Sequence, residues 1–171
     1  VVDVSLIGAP SLVSTITTYL FSIRSFAIYG NDLWSGVTNN DIVRYNITTP
    51  SNPIYVNSII GSNGANGLII DPTGILLVTL SNVGYLVDIS TPATPVIKGT
   101  YTQNNVTNGS GATFNTDLSR MYTIDGTERF RIWNITDNTT PIELDVLDLG
   151  SKWGTGLVFG TFTADPIVYA V

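Results

Sequence analysis

Short runs of β-branched and aromatic residues recur along the chain, separated by clusters of Gly, Asn, Asp, Ser, Thr and Pro. Such runs are strand signals, and no segment sustains the 3.6-residue period of an amphipathic helix. The clearest stretch reads as four strands, Leu68 to Ile70, Ile75 to Leu80, Tyr85 to Ile89 and Val96 to Tyr101. Asp71, Pro72, Thr73 and Gly74 supply the first turn, and Ser81, Asn82, Val83 and Gly84 the second. The same pattern marks Phe26 to Tyr29, Leu33 to Val37, Ile42 to Asn46 and Ile54 to Ile60 before it. After it come Ala112 to Asn115, Arg120 to Ile124, Glu128 to Ile135 and Ile142 to Leu149.

One phrase ties these sets together: Asx, then Val or Ile, then Ser or Thr, and Pro seven residues after the Asx. It begins at Asp3, Asn46, Asp88 and Asn134, with prolines at Pro10, Pro53, Pro95 and Pro141, so the copies lie 43, 42 and 46 residues apart. Asp and Asn alternate here because both offer a side-chain oxygen that can accept a hydrogen bond from the backbone two residues on. Proline has no N–H and suits the start of an outer strand facing water. A repeated four-stranded antiparallel unit of this length is the signature of a β-propeller blade. The expected fold is an all-β propeller forming a single domain over 1–171, with repeats at about 25–66, 67–110 and 111–155.

A fourth repeat is split between the ends. Leu157 to Phe159 and Ile167 to Val171 read as the first two strands of a blade, Val1 to Ser5 and Ser11 to Ile16 as the last two. Residues 156–171 plus 1–24 would therefore complete one blade, within the chain or between chains, because unpaired strand edges recruit partners. A small residue, Ser25, Gly67, Gly111 or Gly156, precedes each innermost strand, where neighbouring blades crowd together. The strands that follow are apolar, as buried inner strands should be.

Composition narrows the chemistry. The 171 residues carry 7 basic and 13 acidic groups, with no Cys and no His. Thiolate and imidazole metal sites, disulfides and the commonest general base are thereby excluded. Net charge -6 without a Lys/Arg run argues against nucleic acid as a partner. The 171 residues contain no apolar run approaching the length of a membrane span and no charged-then-apolar leader, so neither membrane insertion nor a signal peptide is expected and the chain reads as a mature or excised segment.

The run Tyr85, Leu86, Val87, Asp88, Ile89, Ser90, Thr91, Pro92, Ala93, Thr94, Pro95, Val96, Ile97, Lys98, Gly99, Thr100, Tyr101 resembles the LVIVD repeat. The resemblance touches all four copies and is closest in this second one. It implies a β-propeller of secreted or surface-attached bacterial and archaeal proteins, generally without assigned activity and usually with more than four blades.

Asp71, Asn115 and Asp165, with Asn31, recur about once per blade near the first turn. A ring of such oxygens could hold calcium, but turn formation accounts for them more simply. Arg129 and Arg131 flank Phe130 on one strand and share a sheet face that could grip an anion; a solvated face with Glu128 nearby explains them more cheaply. Asp145 and Asp148 fall on opposite faces, which disfavours paired acid and base catalysis. Trp34 and Trp133 lie within strands and are expected to pack between blades, whereas Trp153, between Lys152 and Gly154, is a possible ligand contact. Five glycosylation acceptors occur, at Asn46, Asn105, Asn108, Asn134 and Asn138, and the pair Asn105 and Asn108 shares a long loop.

These features favour a non-catalytic extracellular or cell-surface propeller without catalytic residues, metal or cofactor. It would serve as scaffold, adhesion module or assembly subunit, with protein partners and self-association through its terminal strands. The alternatives are a glycan- or ligand-binding propeller and, behind it, a metal-dependent lactonase-like hydrolase.

Overall fold

The computed structural model describes residues 2–3, 11–16, 22–37, 41–59, 67–80, 82–103, 111–115, 117–125 and 129–150. Within them the apolar runs form three four-stranded antiparallel sheets and one short hairpin. The hairpin joins β1 (Val2–Asp3) to β2 (Ser11–Leu12). The first blade holds β3 (Ile23–Tyr29), β4 (Asp32–Val37), β5 (Ile42–Asn46) and β6 (Ile54–Ile59). The second holds β7 (Gly67–Ile70), β8 (Leu76–Leu80), β9 (Val83–Asp88) and β10 (Val96–Thr102). The third holds β11 (Gly111–Phe114), β12 (Arg120–Ile124), β13 (Arg129–Asn134) and β14 (Ile142–Asp148). In each blade the strands pair in chain order. The sequence-derived strands 157–159 and 167–171 lie outside the described residues.

The repeat phrase builds one turn three times over. The backbone N–H of Thr48, Ser90 and Thr136 donates to Oδ1 of Asn46, Asp88 and Asn134 at 3.0, 2.9 and 3.0 Å. Inside the turn, the N–H of Asn52, Thr94 and Thr140 donates to the carbonyls of Thr49, Thr91 and Asp137. Pro53, Pro95 and Pro141 stand directly before β6, β10 and β14. The register is the same in all copies: Asn46 pairs with Ile54, Asp88 with Val96, Asn134 with Ile142, and Asp3 with Ser11. The hairpin is thus the outer half of a blade.

The core lies between blades rather than inside any one of them. Trp34, Ile42 and Ile59 of the first blade pack with Leu68, Val87 and Ile89 of the second. Leu86 and Tyr101 of the second pack with Phe114, Met121, Trp133 and Ile135 of the third. Val37, Val43 and Tyr45 form a third cluster on the far side of the first blade, joined there by Ile16 beyond the hairpin. Each blade therefore has a trailing face toward the preceding blade and a leading face toward the next. The two tryptophans are interblade residues, 1% and 3% exposed, as their strand positions suggested.

Three expectations need correction. Ser25 lies within β3, and Gly67 and Gly111 open β7 and β11 rather than preceding them. Val83 and Gly84 belong to β9, not to the turn: Gly84 pairs with Tyr101, and a Cβ there would meet the Tyr101 ring at 2.2 Å. The missing side chain is what lets the ring lie across the strand. The first inner strand is also less buried than its composition implied, with Phe26 62% and Ile28 55% exposed. On its other face Ala27 packs with the core of the second blade, and the Tyr29 ring lies against Gly74.

Candidate functional site

Polar groups in the first hairpin of each blade hold the backbone. Asp71 is buried, accepts from the N–H of Ile75 and the hydroxyl of Thr73 through its carboxylate, and accepts from the N–H of Gly74 through its carbonyl. Asn115 accepts from the Arg120 N–H at 2.7 Å and donates to Asp117 and Ser119. The Asn31 carbonyl takes the N–H of Ile47. These are turn roles, while Asp165 lies outside the described residues. Among the described residues no group of three or more Asp, Glu, His or Cys could hold a metal ion.

Arg131 has a different environment from the one its sequence neighbourhood suggested. Its guanidinium is 6% exposed and bridges two carboxylates, Asp125 at 3.1 Å and Glu143 on the adjacent strand. Asp125 has a fully buried side chain. Hydrogen bonds to Glu143 and Asp125 raise the Arg131 pKa further above its ordinary value, although burial alone would lower it. The group is an ion triad buried too deeply to present Arg131 to an anion in solvent. Sequence reasoning missed Asp125, whose signal was its position in the turn before β13. Asp145 and Asp148 pair with Ile132 and Arg129, three residues apart, and so face opposite ways.

Counting the phrase Asx as zero, position four of one blade meets position eleven of the blade before it. The Pro92 carbonyl accepts from Arg44 at 3.0 Å and Asn57 at 3.4 Å, and Asn57 also reaches the Ala93 carbonyl. The Pro50 carbonyl accepts from Ser14 at 2.6 Å. A Cβ on Gly99 would come within 2.3 Å of the Asn138 carbonyl. Ser14, Asn57 and Gly99 are equivalent residues, as are Pro50, Pro92 and Asn138. Arg44 is itself anchored by Asp32 at 2.8 Å and lies 5.8 Å from the Trp34 ring centre.

What remains exposed and apolar follows the outer strands. Ile54, Val96 and Ile142 occupy the same repeat position and are 57, 53 and 58% exposed. Tyr55 and Val56 on β6, Ile97 on β10, and Leu144 and Leu147 on β14 extend the band, with Leu12 and Val13 at the hairpin. Exposed outer strands with apolar side chains offer both a backbone edge and buriable area. A second apolar feature is a groove of about 460 Å³ beside the hairpin, lined by Ile16, Ile23, Phe26, Ile28, Leu33 and Pro50 among others.

The other singled-out residues are structural or lie elsewhere. Asn46 and Asn134 are half-buried turn caps, and Asn138 is half-buried in the turn that approaches Gly99. Asn105, Asn108, Trp153 and Pro10 lie outside the described residues. Among the described residues no helix is long and apolar enough to cross a membrane.

No protein-family profile matches the chain, and no curated protein is significantly similar to it. Solved structures do resemble it. The WD40 repeats of RRP9 superpose with TM-score 0.61 at 13% identity over 77% of this chain and 40% of that one. Sqt1 of Saccharomyces cerevisiae gives 0.64 at 11% over 78% and 37%. The β-propeller domain of Cps50 (Swd1) from Myceliophteria thermophila gives 0.61 at 13% over 78% and 45%. The chain thus matches less than half the length of each of these neighbours. At such identities the likeness concerns fold, and with the repeated four-stranded sheets it makes this chain a β-propeller.

Proposed function

We propose that the chain is a non-catalytic interaction scaffold, part of an extracellular or cell-surface protein, whose contact surface is the apolar rim of its outer strands. The observation that carries the reading is the recurrence of exposed Ile54, Val96 and Ile142 at one repeat position. A single exposed apolar residue needs no explanation, whereas a band on successive edge strands marks a place where something docks. The polar residues support the same reading. The described carboxylates at the first turns and beside Arg131 are tied up in turns and an ion triad, and the hydroxyls that meet carboxylates, Thr73 on Asp71, Ser90 on Asp88 and Thr139 on Asp137, sit inside turns that the same carboxylates cap. The resemblance of Tyr85 to Tyr101 to the LVIVD repeat supports a place outside the cell.

Two measurements test the reading. A photo-reactive residue at position 54, 96 or 142 is expected to form protein adducts in the native setting, and one at exposed Thr73 in the first turn is not. Equal yields at all four positions would remove the rim. Ester, lactone and glycoside hydrolysis should be absent with calcium and with chelator alike; calcium-dependent turnover would replace the scaffold by an enzyme.

A further inference from the structure

Each described four-stranded blade ends in an outer strand that, among the described residues, pairs on one side only. All three outer strands carry a register shift at the same step, and the extra residue is Val56 on β6, Lys98 on β10 and Leu144 on β14. Bulges and charges are the usual means by which a folded protein keeps such an edge from pairing with another chain. The bulge is common to the three strands, so charge is what distinguishes them.

Two of the edges are guarded. Lys98 occupies the bulge of β10, 3.5 Å from Asp88. On β14, Glu143 and Asp145 flank Leu144 and Asp148 ends the strand. The Asp145 carboxylate also takes the backbone N–H of Val146 at 2.8 Å, so that donor is already engaged. In contrast, no Asp, Glu, Lys or Arg occurs between Arg44 and Asp71, a stretch that includes the first phrase turn and all of β6. Ile54, Tyr55 and Val56 on β6 are 57, 42 and 40% exposed. The Tyr55 ring stands edge to face with Tyr45 at 6.1 Å, which presents a tyrosine, a residue enriched in protein interfaces, at the centre of the exposed segment.

The distribution of charge selects the occupant. Residues 71–171 hold 10 acidic and 5 basic groups and residues 1–70 hold 3 and 2, so five of the six net negative charges lie beyond residue 70. Two copies therefore repel least through their first blades. In a two-fold contact each residue meets its own kind, and a strand bearing Lys98 or three carboxylates would set like charges against each other. Of the described outer strands, β6 alone meets itself without opposing charges. We propose that β6 is a self-association edge, at which two copies of this chain pair antiparallel about a two-fold axis at Tyr55 and join two four-stranded sheets edge to edge. The proposal rests on the scaffold reading and names a second copy as the occupant of one part of the rim. Asn57 and Ile59 already face the second blade, through the Pro92 carbonyl and the shared core, so pairing is confined to the first half of β6. A contact of that size is weak and forms as protein concentration rises.

Light scattering of the full-length chain over a concentration series should pass from one chain mass toward two. Val56→Lys gives β6 the residue that β10 has at its bulge. It should raise the dissociation constant at least about tenfold without moving the melting temperature of dilute protein, because Val56 lies outside the interblade cores. Mixing Val56→Lys chains with Val56→Glu chains should restore pairing between unlike chains. The chain has no cysteine, so differently tagged Ile54→Cys and Val56→Cys chains should link under mild oxidation, and Leu144→Cys chains should not link to one another. A wild type that keeps one chain mass at every concentration, a Val56→Lys variant that pairs as the wild type does, or Leu144→Cys chains that link as readily would each overturn the proposal. Rim adducts at positions 96 and 142 do not depend on β6. Their persistence with loss of self-association removes the pair and keeps the scaffold, while self-association without them keeps the pair and removes the wider rim.

Discussion

The outer strands of the second and third blades are the same element by sequence and differ in what covers them. On β10, Gly99 and Tyr101 are buried against the third blade. On β14, the equivalent Asp145 and Leu147 are exposed, Leu147 at 59%. The first blade agrees with the second, since its equivalent Ile59 is buried. An apolar residue at this repeat position therefore acquires its energetic value from the next blade and not from its own sheet. Blades in such an array resemble repeats in a solenoid, where much of the stability resides in neighbour interfaces.

The largest expected difference separates Tyr101 from Leu147. The Tyr101 ring lies 5.0 Å from that of Trp133, edge to face, and burial drives its hydroxyl pKa well above the ordinary tyrosine value. Tyr101→Ala should cost about 3 to 5 kcal/mol in denaturant unfolding, through lost transfer energy and the cavity left behind. Leu147→Ala should fall within about 0.5 kcal/mol in dilute solution. A cost at Leu147 matching that at Tyr101 would mean that β14 is covered as β10 is.

The same pair of strands gives a smaller, steric contrast. A Cβ at Gly99 would meet the carbonyls of Asn138 and Thr139 at 2.3 and 2.9 Å, and backbone atoms cannot swing aside as a side-chain tip can. Gly99→Ala is expected to destabilise by about 1 to 3 kcal/mol, as overpacking does. Asp145→Ala should be nearly silent under the same conditions. Equal and small effects at both positions would show that the third blade can slide away from the second at little cost.

The repeat, the strands and the phrase turn were legible in the sequence because they depend on local chemistry repeated in register. Asn46, Asp88 and Asn134 cap their turns through the oxygen that their shared identity as Asx implied. Trp34 and Trp133 were legible as packing residues from their strand positions. Interblade geometry was not. That Gly99 is needed for a neighbour's carbonyl, or that Arg131 is held by Asp125 and Glu143, depends on the relative placement of sheets and on a register shift between Ile132 and Trp133. Phe26 and Ile28 had the composition of a buried strand, and composition alone does not say whether the covering half-blade stands beside it. The rim was hidden for a related reason: an alternating strand with apolar residues on both faces reads as buried until its edge position is known.

The smallest expected effects compare the second blade with the first and third through the phrase itself. Asp88 uses one carboxylate oxygen to accept from both the N–H and the hydroxyl of Ser90, while Lys98 stands 3.5 Å from the other. Those hydrogen bonds, and Lys98 after them, hold its pKa below the ordinary value. A carboxylate with a lowered native pKa stabilises the fold above its unfolded pKa and loses that contribution as pH falls through the lower native value. Asn46 and Asn134 cap the same turn without titrating. Asp88→Asn should therefore be close to neutral at pH 7 and should shrink the acid-induced loss of melting temperature below about pH 4. Asp88→Leu removes the acceptor and should cost about 1 kcal/mol at pH 7 and less at low pH, where the wild type has already lost part of that contribution. Equal damage from Asn and Leu at pH 7 would mean that charge, through Lys98, holds the second turn. The two kinds of cap would then differ in mechanism despite their common geometry.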